Sequence, residues 1–444
     1  MATTRLTRTM SGNGDRQKFT LSMWLKRGNT GQHFLFTSGS YASSSMMQWF
    51  IDSDDTLGMY DYNSSGSALS QVTTNRKFRD TSGWYHFVFR VDTTQSTAAD
   101  RLRLYVNGVQ ETSFNNTNYP GQNNNYLYSE SITAQYFGQR ADQGNTSSFD
   151  GMMSHIHMCD GYSYDASEFG ETDATTGEWK IKTNLSVSYG TNGYWILKDG
   201  NSVTDSSPNS NDFTVANGTL TDLKDNPSHN FCNINGLYNQ TVGQGVTINN
   251  CGNTVYYASN SSRSCFGSIA PSSGKYYFEC KVFSNSLLVI GIVNMAWTNL
   301  NGASGYAYHD DALNFGINYN GEKTSGGTNT AFGSAISNND IVQVAMDLDN
   351  SKLYFGINGT WQNSGDPTSG STGTGSAFNL ASGANYTAAC RLRDGTQLGF
   401  NFGNGQFSGS SVVASEGTNA SGHGKFEYDV PTGYTALSTK GLNE

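Results

Sequence analysis

Apolar and polar residues alternate in short runs along the whole chain, and the runs are bounded by Gly, Asn, Asp and Ser. That period of two predicts strands. Residues 19–27 (FTLSMWLKR) put Phe19, Leu21, Met23 and Leu25 on one face and Thr20, Ser22, Trp24 and Lys26 on the other, the pattern of a half-buried strand. Residues 84–92 (WYHFVFRVD) and 101–107 (RLRLYVN) predict two more strands. Asn107-Gly108 then predicts a type I′ hairpin, because both central positions of that turn need positive φ. Residues 151–158 (GMMSHIHM) alternate again, with Met152, Ser154, Ile156 and Met158 opposite Met153, His155 and His157.

Between about Asp165 and Tyr238 the pattern weakens into sequence rich in Asp, Asn, Ser and Thr, with one short candidate strand at residues 194–197. Alternation returns from Gly274, in residues 275–282, 287–293, 341–348, 352–357, 386–392 and 397–402. The turn Asp349-Asn350-Ser351 joins Val342, Val344, Met346 and Leu348 to Leu353, Phe355 and Ile357, a hairpin with one apolar face. Stretches rich in Ala, Leu, Glu and Lys with a 3.6-residue period do not occur. Many short strands and few helices predict an all-β protein of two β-sandwich or jelly-roll domains in series. The expected boundaries are 1–165 for the first domain, 166–240 for an irregular connector and 241–444 for the second domain with its tail.

Charge narrows the function. The 26 Lys and Arg against 36 Asp and Glu give a net charge of −10, and charged residues make up only 14% of the chain. Nucleic-acid binding is excluded as a reading, since phosphate recognition needs a concentrated basic stripe. Membrane insertion is not expected either, because the longest apolar run, residues 287–297, is far short of the roughly 20 residues a span requires. The amino terminus has no apolar segment of the secretory kind. Six cysteines at 159, 232, 251, 265, 280 and 390 lack zinc-type spacing and read as structural thiols, although five lie in the second half, where one or two disulfides would form in an oxidising setting.

Particular motifs now add a resemblance. The stretches FTLSMWLKRG, WYHFVFRVD, RLRLYVNGV and YFGQRADQGNTSSFDGMMSHIHMCDG, followed by FGETDATTGEW, resemble a laminin-G-like jelly roll of the concanavalin A type over most of residues 15–180. The second segment resembles a SPRY domain over about residues 250–408, through KYYFECKV, GYAYHDD, DIVQVAMDLDNSKLYFGINGTW and TAACRLRDGTQLGFNFG. Paired around DNPSHNF and ending in PTGYTALSTKGLNE, the two modules resemble virion structural proteins of tailed bacteriophages. The resemblance implies assembly in the host cytoplasm, location in the virion, and contacts with other virion proteins. It is compatible with stiff β modules whose loops are rich in turn formers.

Because jelly rolls also house glycoside hydrolases, catalytic acids must be sought. The family pattern E-x-D-x-(x)-E is absent, and the nearest approach, Glu168, Glu171 and Asp173, lies in a Gly/Thr-rich turn and reads as solvated acids. No G-x-S-x-G elbow occurs, and residues 365–375 read as a flexible loop without the Lys of a phosphate loop. His86, His155 and His157 read as sheet-surface histidines rather than zinc ligands. No cofactor is expected. Asp52, Asp54 and Asp55 are the candidate oxygen ligands should calcium bind, the ordinary acidic turn being the stronger reading.

Aromatic residues give the better lead, since sugars stack on Trp and Tyr while amides and carboxylates take their hydroxyls. The candidate ligand-binding residues are Trp49, Tyr60 and Tyr62 in the first domain and Trp297, Tyr306, Tyr308, His309 and Asp310 in the second. The second cluster matches the variable-loop surface by which SPRY domains contact protein partners. The expectation is therefore a non-enzymatic virion protein, in a tail fibre, spike or head decoration, that binds host-surface glycans or neighbouring virion proteins as a homo-oligomer, with a trimer suited to a fibre. The alternatives are a polysaccharide depolymerase and a purely architectural cement protein.

Overall fold

The structure is a computed structural model that describes residues 4–443 apart from 41–44, 64, 130–133, 141–147, 199, 238–244, 298–311, 409 and 413–421. Its regular structure is almost entirely strand, as the alternation predicts. The chain divides into two units, Met1–Asp222 and Leu223–Glu444.

In the first unit, an eight-stranded antiparallel sheet runs in the order Phe114–Asn118, Ala68–Lys77, Thr56–Tyr62, Ser45–Ile51, His33–Ser40, Ala134–Phe137, Arg5–Thr9 and Thr214–Asn217. A six-stranded sheet runs Tyr194–Ile196, Gly151–Asp160, Lys18–Arg27, Tyr85–Asp92, Leu102–Val106 and Val109–Glu111. Between them lies an aromatic core, in which Phe19, Leu21, Met23, Leu25, Phe87 and Phe89 join Met47, Trp49, Leu57, Met59 and Val72. Each such side chain contributes about 1.5–3 kcal/mol by leaving water.

The opposite face of Lys18–Arg27 departs from expectation. Thr20, Ser22, Trp24 and Lys26 are as buried as the core residues. Residues 161–190, most of which fall in the stretch 166–240 read from the sequence as connector, cover them through Tyr164, Phe169, Trp179 and Tyr189 and the hairpin Gly170–Thr172/Trp179–Ile181. Asn107 and Gly108 take φ of +48° and +81°, as the type I′ turn requires. Trp179 packs so closely on Gly108 that a Cβ there would lie 2.5 Å from its ring. Within Gly151–Asp160 a bulge between Ser154 and His157, with His155 at φ +47°, breaks the simple alternation. Met153 pairs with Leu25 on the core side before the bulge, whereas Ile156 and Met158 occupy the core side after it.

The second unit has a nine-stranded sheet whose central run is Thr254–Tyr257, Thr396–Asn401, Lys275–Ser284, Ile341–Asp347 and Lys352–Ile357. Facing it is a six-stranded sheet in the order Arg263–Phe266, Tyr386–Leu392, Val289–Asn294, Asn314–Asn318, Glu322–Ser325 and Thr328–Ala331. The expected hairpin forms in register, Val342 opposite Ile357, Val344 opposite Phe355 and Met346 opposite Leu353. Residues 166–240 do not act as one connector: Phe213 joins the first core, while Cys232 and Ile234 join the second. The carboxy-terminal residues Phe426, Val430, Tyr434 and Ala436 cover the outer face of the nine-stranded sheet with Phe231, Tyr277 and Tyr354.

Glu279 anchors that cover from a fully buried position. Its carboxylate accepts bonds from the Tyr277 hydroxyl, the Asn401 amide and the backbone N–H groups of Glu427 and Tyr428, at 2.9–3.2 Å. Residues 365–375, expected to be a flexible loop, form short turns capped by Asp366 on the Thr368 N–H. The Tyr434 hydroxyl holds them through the Pro367 carbonyl at 3.0 Å. All six cysteines are buried free thiols, with Cys265 directly opposite Cys390.

Candidate functional site

The outer face of the eight-stranded sheet carries the half-exposed aromatics. Tyr60 and Tyr62 are two apart on one strand and therefore share that face. Tyr60 meets Phe50 edge-to-face with centroids 4.9 Å apart, and Tyr62 meets Tyr60 at 6.0 Å. Phe50 is backed by Phe34 at 5.5 Å on the next strand. Gly58 permits this arrangement, since a Cβ there would sit 2.8 Å from the Phe50 ring. Polar groups flank the rings: Gln48 and Gln71 stand opposite Tyr60 on the two neighbouring strands. The Tyr60 hydroxyl lies 3.2 Å from the Thr73 hydroxyl. Next in the same row, Thr37 is opposite Gln48, and the Thr37 hydroxyl and Gln48 amide oxygen are buried without a hydrogen-bond partner. Burial raises the Tyr62 phenol above its ordinary value, the neighbouring Tyr60 adding to it. Tyr62 is thus a neutral donor and acceptor.

Trp49 does not belong to this face. It pairs with Met59 on the inner side, is 2% exposed and stacks on Phe89 at 3.9 Å, so it is a core residue. Across the IDSDD hairpin, the apolar alternation of Met47, Trp49, Ile51, Leu57 and Met59 already carries this parity. It leaves Gln48, Phe50, Tyr60 and Tyr62 to the other side. Trp297 is also buried, packed against Phe266, Val289, Val293 and Ala389, and so is no exposed stacking surface. Tyr306, Tyr308, His309 and Asp310 lie outside the described residues.

The acidic turn holds its own carboxylates. Asp54 accepts bonds from the Thr56 N–H and hydroxyl, and Lys77 stands 3.3 Å away. Asp55 is bound by the Arg27 guanidinium at 2.8 Å and by Arg79 at 3.2 Å, besides the Gly31 N–H. Asp52 accepts from the Ser53 N–H and the Gln32 amide. Calcium ligation does not fit this set, because two guanidiniums already occupy the one buried carboxylate. Among the described residues no group of three or more His, Cys, Asp or Glu side chains converges as a metal site.

Histidines and acids elsewhere are equally committed. His86, fully buried, accepts the Trp179 indole N–H on Nδ1 at 2.9 Å, so its proton sits on Nε2 and is donated to the Ser22 hydroxyl at 2.8 Å. That tautomer cannot draw a proton from Ser22, and burial lowers the imidazole to about 3. His157 Nδ1 bonds the Tyr189 hydroxyl and stacks on Trp195 at 4.8 Å. The bulge parts His155 from the strand alternation that would have set it beside His157. Among the candidate catalytic acids, Asp173 is bound by Lys180 at 2.8 Å, and Glu171 stands 3.8 Å from the same amine. The Lys180 bond is the chief reason the Asp173 carboxyl lies well below its ordinary value, the opposite of what a general acid needs.

A family model described as the concanavalin A-like lectin/glucanases superfamily matches residues 3–162. Those residues form a concanavalin A-like domain. Similar solved structures include the SPRY domain of human HERC1, at 14% identity over 35% of this chain and 91% of that one, with a TM-score of 0.29. Another human SPRY domain is 14% identical over 35% of this chain and 94% of that one, with a TM-score of 0.27. A heptameric SAP-like pentraxin from Limulus polyphemus is 16% identical over 44% and 86%, with a TM-score of 0.30. A comparison with curated protein sequences finds no match.

Proposed function

We propose that this chain is a non-enzymatic adhesion protein whose first domain holds carbohydrate on the outer face of its eight-stranded sheet. The carrying observation is the pair Tyr60 and Tyr62, half-exposed, braced edge-to-face on Phe50 and flanked by Gln48, Gln71 and Thr73. A sugar ring stacks its C–H face on a tyrosine while amides and hydroxyls take its hydroxyl groups. Antiparallel pairing on both sides holds these side chains in place, so binding orders little of the protein. Salt-bridged or solvent-facing acids at Glu168, Glu171 and Asp173 favour binding over hydrolysis. Following the sequence resemblance, we place the protein on a bacteriophage particle, in a tail fibre, spike or head decoration. There, repeated copies in a homo-oligomer, a trimer in a fibre, turn weak single-site affinity into avidity toward host glycans.

The test is a glycan array probed with the full chain, beside Y60A and Y62A variants. Binding to a defined glycan that falls about tenfold or more in either variant is the expected result. Silence across the array, or binding indifferent to both tyrosines, overturns the assignment. Labelling intact particles with an antibody to the chain tests the location.

A further inference from the structure

The outer face of the six-stranded sheet carries another polar and aromatic group, on strands that take no part in the Tyr60 face. Arg90 and Arg103 stand directly opposite one another on neighbouring antiparallel strands, and they share a face. Like charges so placed are mutually repulsive. Each guanidinium faces one carboxylate, Asp165 for Arg90 and Asp100 for Arg103, and the Tyr105 hydroxyl adds to Arg103. Arg90 reaches the Ser163 carbonyl at 3.4 Å and Asp165 at 3.6 Å. The strong bond to Asp165, at 2.6 Å, goes instead to the Tyr105 hydroxyl. Arg103 holds Asp100 at 2.6 Å through Nη2, while its Nε is buried without an acceptor. Both side chains remain partly open, at 18% and 28% exposure. Next in the chain to Ser163, Tyr162 is 40% exposed and lies parallel to Tyr164, with centroids 5.7 Å apart and planes 3° from parallel. Thr20 pins this segment to the sheet, donating to the Tyr162 carbonyl and accepting from the Tyr164 N–H.

We propose that this group is a binding site for a carboxylate-bearing sugar, its carboxylate bridging Arg90 and Arg103 and its ring lying against Tyr162. A planar carboxylate has two oxygens to offer two forked donors. An exposed tyrosine beside the fork supplies the apolar surface that a sugar ring needs and a simple anion does not. The site is independent of the Tyr60 face and stands or falls without it.

The probe is a short oligogalacturonate, titrated calorimetrically into the full chain beside its methyl-esterified form and a sulfated oligosaccharide. Binding of the free acid, weakened by salt and by about tenfold or more on esterification, is expected. R103Q and Y162A should each lower that affinity by a similar factor, whereas Y60A should not. Tyr162 is surface-exposed, so Y162A and the esterified ligand keep the test valid should R103Q fail to fold. Equal binding of acid and ester, preference for the sulfated sugar, loss in Y60A rather than Y162A, or no binding at millimolar concentration each overturns the proposal.

Discussion

Asp61 offers a direct trial of the electrostatics of the first domain. It sits fully buried on the inner side of Thr56–Tyr62, opposite Ser70, and neither carboxyl oxygen has a hydrogen-bond partner. Burial dominates and raises the carboxyl from 3.8 to about 8, the nearby Asn124 amide and Arg16 offsetting only part. Below pH 8 the folded protein keeps the proton, while the unfolded chain has released it above about pH 4. Unfolding in that window therefore releases one proton, and rising pH lowers stability by up to about 1.4 kcal/mol per unit. Substituting Asp61→Asn keeps the shape and removes the titration. In urea unfolding of the full chain, followed by tryptophan fluorescence, five of the seven tryptophans report on residues 1–222. The D61N variant should exceed the parent by about 1–2 kcal/mol at pH 5 and by about 5 kcal/mol at pH 8, the gap levelling off above that. A difference between the two proteins that does not change from pH 5 to 8.5 would show that Asp61 is ionised in the fold, and the reasoning fails.

Other perturbations probe separate parts of the molecule. Glu279→Gln replaces one accepting oxygen by a donor, so two bonds are lost together, either those from the Tyr277 hydroxyl and Tyr428 N–H or those from the Asn401 amide and Glu427 N–H. Destabilisation by about 1–3 kcal/mol is expected, with faster amide exchange at residues 427 and 428, and unchanged exchange there would refute the anchoring role. Since burial depresses His86 to about 3 and His157 well below its ordinary 6.5, their contribution is complete above pH 6.5 and is lost as pH falls toward 3. A thermal-melting series over pH 3–7 should show a shallower acid loss in His86→Gln than in the parent. Gly108→Ala combines a φ of +81° with a Cβ driven into Trp179, and should cost about 1–3 kcal/mol by chemical denaturation.

Strands with a clean alternation were legible in the chain. Residues 19–27 and the hairpin around Asp349 needed only a period of two and a turn signal, and both occupy the core side expected of them. What the alternation does not carry depends on pairing between distant segments. Thr214–Asn217 is only four residues long, all exposed, and exists because Arg5–Thr9 lies beside it. The burial of Thr20, Ser22 and Trp24 likewise comes from residues more than a hundred positions later, which their own alternation cannot reveal. A single inserted residue near His155 reverses the parity of a strand whose composition looks regular on both sides. For the candidate site, Tyr60 and Tyr62 were visible as aromatics two apart. Trp49 stands on the core side, and the apolar alternation of Met47, Trp49, Ile51, Leu57 and Met59 already carries that parity.

The pairing of Arg5–Thr9 with Thr214–Asn217 also decides how the first domain answers a mechanical load. Arg5 lies opposite Asn217 and Thr7 opposite Thr214, so the chain enters and leaves the sheet at the same end of one ladder. Tension along the polypeptide is then carried by one rung at a time, and the outermost strand peels off while the aromatic interior stays closed. A protein pulled at both ends would give way gradually at this seam, as a zipper opens, and could close again once the force is released.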